Sequence, residues 1–474
     1  MQGFLLCILA LFQIFPIAYA VAEHHVRWQG FLWSAGITLG AGLACLTAGR
    51  VRPFHLGVRQ LFAATSLSWL LVGLFSALPF LLAMDGVSVT DAVFEAVSGL
   101  TTTGSTVITH LETAPRSILL WRGITQWLGG IGIIVLAIAV LPFLRVGGMR
   151  LFQTESSDWS QKIMPRTRGV IQSIGMVYLG LTLAAMVSYW LAGMSGFDAL
   201  VHAMTTVATG GFANYDASFG TYQDRGTILW LSSLFMVLAA LPFLLYVRMI
   251  GGDRVAVLRD QQVRGYLVLI LFLVSVVTLD RSLFEHEEWF TALTHTVFNV
   301  VSVITTTGYS SDDYMLWGEF AVAVFFFVTL IGGCSGSTAG GIKIFRFQIG
   351  ALMLWNQIWL MVHPQAVVAN RYNGNIIGED VVRSVVAFTF FFTLTVAMIT
   401  LVLSLLELDL VTSLSGAATA VANVGPGLGR VIGPAGNFAS LPDAAKWVLA
   451  VGMLLGRLEI LTVLILLSPV FWRG

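Results

Sequence analysis

Four short strips, each ending in glycine, follow apolar stretches at nearly regular intervals along the chain. They read Thr-Thr-Thr-Gly at 101–104, Val-Ala-Thr-Gly at 207–210, Thr-Thr-Thr-Gly at 305–308 and Ala-Asn-Val-Gly at 422–425. Subtraction gives 106, 98 and 117 residues between successive glycines, which indicates a repeated unit. Glycine permits backbone dihedrals that turn carbonyl groups toward one axis. Four strips around an axis would form rings of oxygens that replace the hydration shell of a monovalent cation.

The composition is typical of a membrane protein. Of the 474 residues, 57% are hydrophobic and 11% are charged, whereas soluble domains carry about 25% charged residues. The mean hydropathy is +0.85. Because the formal net charge is zero, there is no global basic surface for nucleic acid. The three cysteines, Cys7, Cys45 and Cys334, are far apart and indicate neither a disulfide framework nor a zinc site.

Membrane-spanning helices need about 20 apolar residues, and long apolar runs recur along the chain. They lie at 3–22, 31–48, 59–84, 117–144, 170–194, 227–250, 264–283, 317–331, 342–362, 381–406 and 445–471. The first stretch ends in Ala18-Tyr19-Ala20, which resembles a signal-peptidase site, but no Lys or Arg precedes its apolar core. We therefore interpret it as a retained first span, with cleavage as the alternative.

A shorter segment of intermediate polarity precedes each strip. These segments lie at 91–100, 198–206, 292–304 and 410–421. Each is too short to cross a membrane but suits a re-entrant helix that is buried in protein. The segments 94–104 and 298–308 are identical at seven of eleven aligned positions, which supports a common unit.

The predicted fold is an all-α polytopic membrane protein with a two-helix preface and four parallel repeats around a central pore. Each repeat contains a span, a pore helix, a filter strip and a second span. The predicted divisions are 1–52 for the preface and 53–150, 151–255, 256–370 and 371–474 for the repeats. Because each repeat crosses the membrane twice, successive repeats enter from the same side, unlike the inverted repeats common in secondary transporters.

The distribution of Lys and Arg predicts the orientation in the membrane. When the links between repeats are placed inside, seventeen of these residues lie there and seven lie outside, with Arg457 within a span. By the positive-inside rule, both termini then lie in the cytoplasm and the strips face the outside.

The strips supply the predicted ion ligands, since potassium coordination needs closely spaced oxygens with little side-chain bulk. Threonine hydroxyls can add to the backbone carbonyls. The predicted ligands are Thr102, Thr103, Gly104, Ala208, Thr209, Gly210, Thr306, Thr307, Gly308, Asn423, Val424 and Gly425. Because the second and fourth strips lack the threonine runs of the other two, any four-fold symmetry is approximate.

A glycine-rich segment at 331–341 interrupts the second apolar stretch of the third repeat. Five glycines in eleven residues disfavour a rigid helix, and irregular backbone at membrane depth is tolerated only beside protein or a water-filled cavity. We predict a mobile gating loop below the filter, with close helix packing through small residues as the alternative. The predicted gating glycines are Gly332, Gly333, Gly336, Gly340 and Gly341.

Arg457 lies some twelve residues into the last apolar stretch. A buried cation is costly and indicates a functional site that faces the protein interior. Glu459 is two positions further on and would point to another helix face, so it is a poor direct partner. We predict that Arg457 contacts loop carbonyls below the filter and opposes cation flow, while a structural arginine that ties helices together is the alternative.

These residues resemble the TrkH/TrkG-type potassium-uptake subunits of the Trk/Ktr/HKT superfamily over nearly the whole chain. The matching segments are Thr-Gln-Trp-Leu-Gly-Gly-Ile-Gly at 125–132, Thr-Gly-Gly-Phe at 209–212, the strip at 305–308, the glycine-rich segment through Lys343, Asn-Val-Gly-Pro-Gly at 423–427 and Gly-Arg-Leu-Glu at 456–459. The resemblance implies potassium uptake across a bacterial inner membrane, with K⁺ as the transported ion and no tightly bound cofactor.

The resemblance also implies a lipid-embedded homodimer with one pore per subunit, and a gating loop that extends to Lys343. It implies a TrkA-type cytoplasmic nucleotide-binding subunit as the regulator. A sodium- or proton-coupled cation symporter of the same fold is the alternative. An intramembrane enzyme would need acids, bases or metal ligands within the spans, and Arg457 alone does not supply them.

Overall fold

The computed structural model describes residues 1–24, 27–49, 58–139, 167–366 and 368–473, which are predominantly helical. The first helices are α1 (Gln2–Phe12), α2 (Ile14–Ala22), α3 (Trp28–Ala48), α4 (Val58–Ser76), α5 (Leu78–Ala83), α6 (Val89–Leu100) and α7 (Arg116–Ala139). The next are α8 (Thr167–Leu191), α9 (Gly196–Val207), α10 (Gly226–Ala239), α11 (Phe243–Ile250), α12 (Ala256–Arg259), α13 (Gln261–Phe284) and α14 (Trp289–Ile304).

The last part of the chain adds two pairs of two-residue strands to the helices. It comprises α15 (Gly318–Leu330), β1 (Ile331–Gly332), β2 (Ile342–Lys343), α16 (Ile344–Val362), β3 (Arg371–Tyr372), β4 (Asn375–Ile376), α17 (Glu379–Leu405), α18 (Leu410–Ala422), α19 (Gly429–Ile432), α20 (Asp443–Arg457), α21 (Ile460–Leu467) and α22 (Pro469–Arg473). Short 3₁₀ turns occur at Leu111–Thr113, Ser218–Tyr222 and Tyr314–Leu316.

Two of the predicted spans are sharply bent. Among the described residues, seven helices are long and apolar enough to cross a membrane, or nine if each bent pair is counted as one span. The stretch predicted as one span at 227–250 is α10 and α11, which meet at 88°. Pro242 lies at this break, where it lacks a backbone N–H and disfavours helical dihedrals in the residue before it. The apolar stretch predicted from the sequence is therefore present, but it is broken at this point.

The last predicted span, 445–471, is also broken. Helices α20 and α21 meet at 106°, and Glu459 between them has a positive φ of 61°. Arg457 is therefore the final residue of α20 rather than the middle of a continuous helix. The break places this arginine where two helix ends meet.

Four short helices, α6, α9, α14 and α18, lead directly into the four strips, and we call them the inner helices. They match the four short segments predicted from polarity. Three begin with a side-chain cap: Ser88 accepts the N–H of Asp91 at 3.1 Å, Ser195 that of Asp198 at 3.1 Å, and Asp409 that of Thr412 at 3.0 Å. Each helix ends at a strip, so its partially negative carboxyl end lies beside the strip's inner end.

The glycine-rich segment does interrupt its helix. Helix α15 ends at Leu330 and α16 begins at Ile344, and the two ends are joined by parallel pairing of β1 with β2. Ile331 pairs with Ile342 and Gly332 with Lys343. The residues between them form a closed loop, which we call the 333–341 loop.

Several basic residues that predicted the orientation lie outside the described residues. They are Arg50, Arg52, Arg145, Arg150, Lys162 and Arg166. The predicted boundaries between the preface and repeat 1, and between repeats 1 and 2, also fall outside the described residues.

Candidate ion-conduction site

The four strips begin with the same left-handed backbone turn. A left-handed residue follows each inner helix by one or two positions, with φ of 53° at Thr102, 50° at Thr209, 59° at Thr306 and 54° at Asn423. The N–H of the next residue then donates to a carbonyl five positions earlier, at 2.9, 2.8, 2.9 and 3.0 Å in strips one to four. These donors are Thr103, Gly210, Thr307 and Val424. The shared pattern defines which residues are equivalent.

This equivalence corrects the predicted alignment of the second strip. Gly104, Gly211 and Gly308 each follow the left-handed residue by two positions and have φ of 90°, 77° and 85°. Gly211, not Gly210, is therefore the counterpart of Gly104. The second strip contains two adjacent glycines, so alignment on the first of them was off by one residue. Gly210 occupies the position of Thr103.

The strips contact one another in a closed ring. A methyl group added at Gly104 would overlap the carbonyl oxygen of Gly210, and one added at Gly211 would overlap that of Thr307. A methyl group at Gly308 would lie 2.6 Å from the amide nitrogen of Gly425. One at Gly425 would lie 3.3 Å from the carbonyl carbon of Gly104. Each strip thus abuts the next, and the fourth abuts the first, with little or no room for side chains.

Cavities lie at both ends of this ring. The outer cavity, of about 230 Å³, is lined by the four equivalent glycines, Gly104, Gly211, Gly308 and Gly425. The inner cavity, of about 50 Å³, is lined by Asn423 at the start of the fourth strip, by the 333–341 loop and by Arg457. The narrow ring of glycines therefore separates two spaces, as a filter would.

The 333–341 loop packs against the inner ends of the strips. The Thr338 hydroxyl donates to the carbonyls of Val207 and Ala239, at 3.2 and 3.1 Å. The Gly340 N–H donates to the Thr306 hydroxyl at 2.7 Å. A methyl group at Gly340 would overlap the carbonyl oxygen of Ala422. Glycine is required for this approach, and the loop lies directly below the ring.

Arg457 holds the loop from below. Its side chain is buried, and Nη1 donates to the Thr338 carbonyl at 2.9 Å. Its Nε and Nη2 have no hydrogen-bond partner within the described part of the chain. Glu459 pairs instead with Arg346, at 2.7 Å. The predicted contact between Arg457 and a loop carbonyl is thus present in the structure.

Lys343 also contacts the loop, since its Nζ donates to the carbonyl of Ala339. It lines the inner cavity together with Arg457, Gly336, Gly340 and Gly341. The remaining predicted loop glycines, Gly332 and Gly333, do not line this cavity but sit where β1 meets the returning chain. Two basic side chains therefore face the cavity below the ring.

Sequence reasoning missed the side chains that support the strips. Gln126 on α7 donates to the Gly210 carbonyl at 2.5 Å and accepts the N–H of Phe212 at 3.1 Å, so it holds both sides of Gly211. Arg122, one helical turn earlier, forms a buried ion pair with Glu95 at 2.8 Å. The available signal was two opposite charges within apolar stretches, which are costly in a membrane unless they are paired.

Comparison with known proteins agrees with this geometry. A family model described as TrkH, a cation transport protein, matches residues 35–473. The chain belongs to the TrkH family. It is 56% identical to the Trk system potassium uptake protein TrkI of Halomonas elongata, over 98% of this chain and 94% of the relative. It is 34% identical to the TrkH protein of Escherichia coli K12, over 99% and 98% of the two chains.

A solved structure is similar over almost the full length. The crystal structure of the potassium transporter TrkH from Vibrio parahaemolyticus matches with a TM-score of 0.91 and 34% identity, and the match covers 99% of this chain and 98% of that one. The predicted all-α polytopic fold is confirmed by this match. Membership of the family also confirms that the chain is an integral membrane transport protein rather than an enzyme.

Proposed function

We propose that this protein takes up K⁺ across a bacterial inner membrane through the ring formed by the four strips. The observation that carries the proposal is the closed contact of the strips around one axis, with a cavity at each end. Relatives that match almost the whole chain are named as potassium uptake proteins. The predicted K⁺ ligands remain those of the first, third and fourth strips, and Gly211 joins Ala208, Thr209 and Gly210 in the second.

The chemistry of the ring suits a monovalent cation. Carbonyl oxygens exposed by the glycines can replace a hydration shell, and the carboxyl ends of the four inner helices place partial negative charge beside the strips' inner ends. Asn423 adds an amide whose Oδ1 has no partner within the described residues. The ring therefore offers oxygens without a full negative charge, which favours K⁺ over divalent ions.

The 333–341 loop and Arg457 form the proposed gate. The loop lies directly below the ring, and the guanidinium both holds a loop carbonyl and places positive charge in the inner cavity. A cation that leaves the filter meets this charge and that of Lys343. Movement of the loop away from Thr306 and Val207 would open the path to the cytoplasm.

Assembly and regulation complete the proposal. The protein works as a homodimer with one pore per subunit, both termini in the cytoplasm, and a TrkA-type nucleotide-binding subunit as its regulator. The support is the family resemblance, the bias of Lys and Arg, and the naming of relatives as parts of a Trk system. Copurification with a TrkA-type protein, followed by measurement of uptake with and without nucleotide, tests this part.

The transport proposal is tested by rescue of a bacterium that lacks its own potassium uptake systems. Expression of the chain should restore growth at low external K⁺, and excess Rb⁺ should compete more strongly than excess Na⁺. Equal competition by Na⁺ would contradict a potassium filter. Uptake that requires Na⁺ or a proton gradient, rather than the membrane potential alone, would instead favour a coupled symporter of the same fold.

A further inference from the structure

In all four repeats, the same backbone N–H forms a hydrogen bond to a side chain. It lies three residues after the equivalent strip glycine, which is Gly104, Gly211, Gly308 or Gly425. These N–H groups belong to Val107, Asn214, Ser311 and Leu428. Each donates to a buried side chain of the preceding inner helix. The four acceptors are Glu95 at 3.0 Å, His202 at 3.4 Å, Asn299 at 3.2 Å and Ser415 at 3.0 Å. We call these four side chains the brace residues.

The brace residues occupy corresponding helix positions. Glu95, His202 and Asn299 each lie seven residues before the left-handed residue of their strip. In the fourth repeat that position is Gly416, and Ser415 beside it supplies the acceptor. Four chemically different side chains thus accept the same type of hydrogen bond, one in each repeat. The repeats share the backbone geometry of this contact but not the side chain that makes it.

Three of the brace residues are oriented by their own helices. Nδ1 of His202 lies 2.9 Å from the Asp198 carbonyl, Nδ2 of Asn299 donates to the His295 carbonyl at 3.0 Å, and Oγ of Ser415 donates to the Val411 carbonyl at 2.6 Å. Each of these carbonyls is four residues earlier. Because Nδ1 of His202 donates, Nε2 of the neutral ring is free to accept the strip N–H.

Glu95, the remaining brace residue, is held differently because a carboxylate has no proton to donate to a carbonyl of its own helix. Glu95 is instead oriented by the buried Arg122, whose Nε lies 2.8 Å away. The same Arg122 donates from Nη1 to the carbonyl of Ala213 at 2.7 Å. A single cation therefore ties the brace of the first repeat to the chain that follows the second strip.

We propose that the brace residues are positioning residues that set the ion preference of the filter. This inference rests on the proposed function of the strips. In the cavity-size account of selectivity, discrimination between K⁺ and Na⁺ depends on how closely the carbonyl cage can contract around the smaller ion. A hydrogen bond three residues beyond each glycine limits that contraction from the outer end. Loss of one brace should relax one strip and weaken discrimination, without removal of any ion ligand.

The cleanest test uses Ser415→Ala, which deletes only the accepting hydroxyl, together with Asn299→Leu, which removes the amide at nearly constant size. Matched controls are Ser413→Ala and Thr296→Val, since these hydroxyls are buried on the same two helices but do not contact the strips' N–H groups. Asn299→His tests rescue, because histidine makes this contact in the second repeat. The readout is Rb⁺ uptake in competition with K⁺ and Na⁺, normalised to folded protein.

A lost hydrogen bond should lower the K⁺ over Na⁺ preference by roughly two- to tenfold in Ser415→Ala and Asn299→Leu. The controls and Asn299→His should stay near the parent value. If Ser415→Ala and Asn299→Leu both keep the parental K⁺ over Na⁺ preference, the brace residues do not set the ion preference. Gly104→Ser in the same assay separates the two proposals: if it changes the preference and the brace variants do not, the brace alone fails. If none of them does, the filter assignment fails as well.

Discussion

Replacement of Arg457 should increase ion flux, because its charge faces the cavity into which the proposed filter opens. Arg457 lines the same cavity of about 50 Å³ as Asn423, which is the second residue of the fourth strip. At a separation of ~8 Å and an effective dielectric constant of ~20, two unit charges repel by about 2 kcal/mol, which corresponds to roughly thirtyfold in rate. The repulsion acts on every cation that passes.

Three substitutions separate charge from hydrogen bonding. Arg457→Gln removes the charge but keeps a donor for the Thr338 carbonyl, and Arg457→Ala removes both. Both should raise Rb⁺ uptake per folded molecule by about tenfold or more. Arg457→Lys keeps the charge and loses the forked geometry, so its uptake should fall between these variants and the parent.

The control for this series is Arg281→Gln, since Arg281 is equally buried but pairs with Glu287 away from the inner cavity. The Arg281→Gln substitution should lower the thermal stability of the protein without an increase in ion flux. If the Arg457 variants lose stability in the same way and show unchanged or lower flux per folded molecule, Arg457 is a structural tie and its charge does not oppose ion flow.

Deletion of part of 336–340 should raise Rb⁺ flux, because it removes the obstruction below the ring; a folded deletion variant that conducts no faster than the parent would make the loop structural. Thr338→Val should also raise Rb⁺ flux, but by less, because it removes the hydroxyl that donates to the carbonyls of Val207 and Ala239. Unchanged flux would contradict the proposal that the docked loop closes the pore. Arg122→Leu leaves Glu95 buried without its partner and should destabilise the protein by about 3–5 kcal/mol. Arg383→Leu, at an exposed ion pair, should barely move the melting temperature, and equal losses would contradict the buried pairing.

Much of the architecture could be predicted from the sequence because its signals are local. The inner helices follow from short segments of intermediate polarity, and the strips follow from glycines that backbone geometry requires. The error in the second strip had a local cause too. Two adjacent glycines, Gly210 and Gly211, give the same match to the strip pattern, and only the left-handed backbone at Thr209 decides between them.

The parts that could not be predicted depend on contacts between distant segments. Pro242 is a sequence signal for the break between α10 and α11. Neither Leu458 nor Glu459, which lie between α20 and α21, predicts the bend of 106° there. The brace is carried by a carboxylate, an imidazole, an amide and a hydroxyl, so no sequence repeat exists for it. It emerges only when the N–H groups beyond the strips are placed next to the inner helices.

Serine substitution of the strip glycines tests whether the four strips form one potassium filter. Gly104→Ser and Gly308→Ser add bulk where the structure leaves no room and require a positive φ that serine disfavours. Gly36→Ser is the matched control, since nothing lies within 4 Å of the added group. Competition of K⁺ and Na⁺ with Rb⁺ uptake should show reduced potassium preference in both filter variants and parental preference in the control. Parental ion ratios in well-expressed Gly104→Ser and Gly308→Ser proteins would contradict a potassium filter built from the four strips.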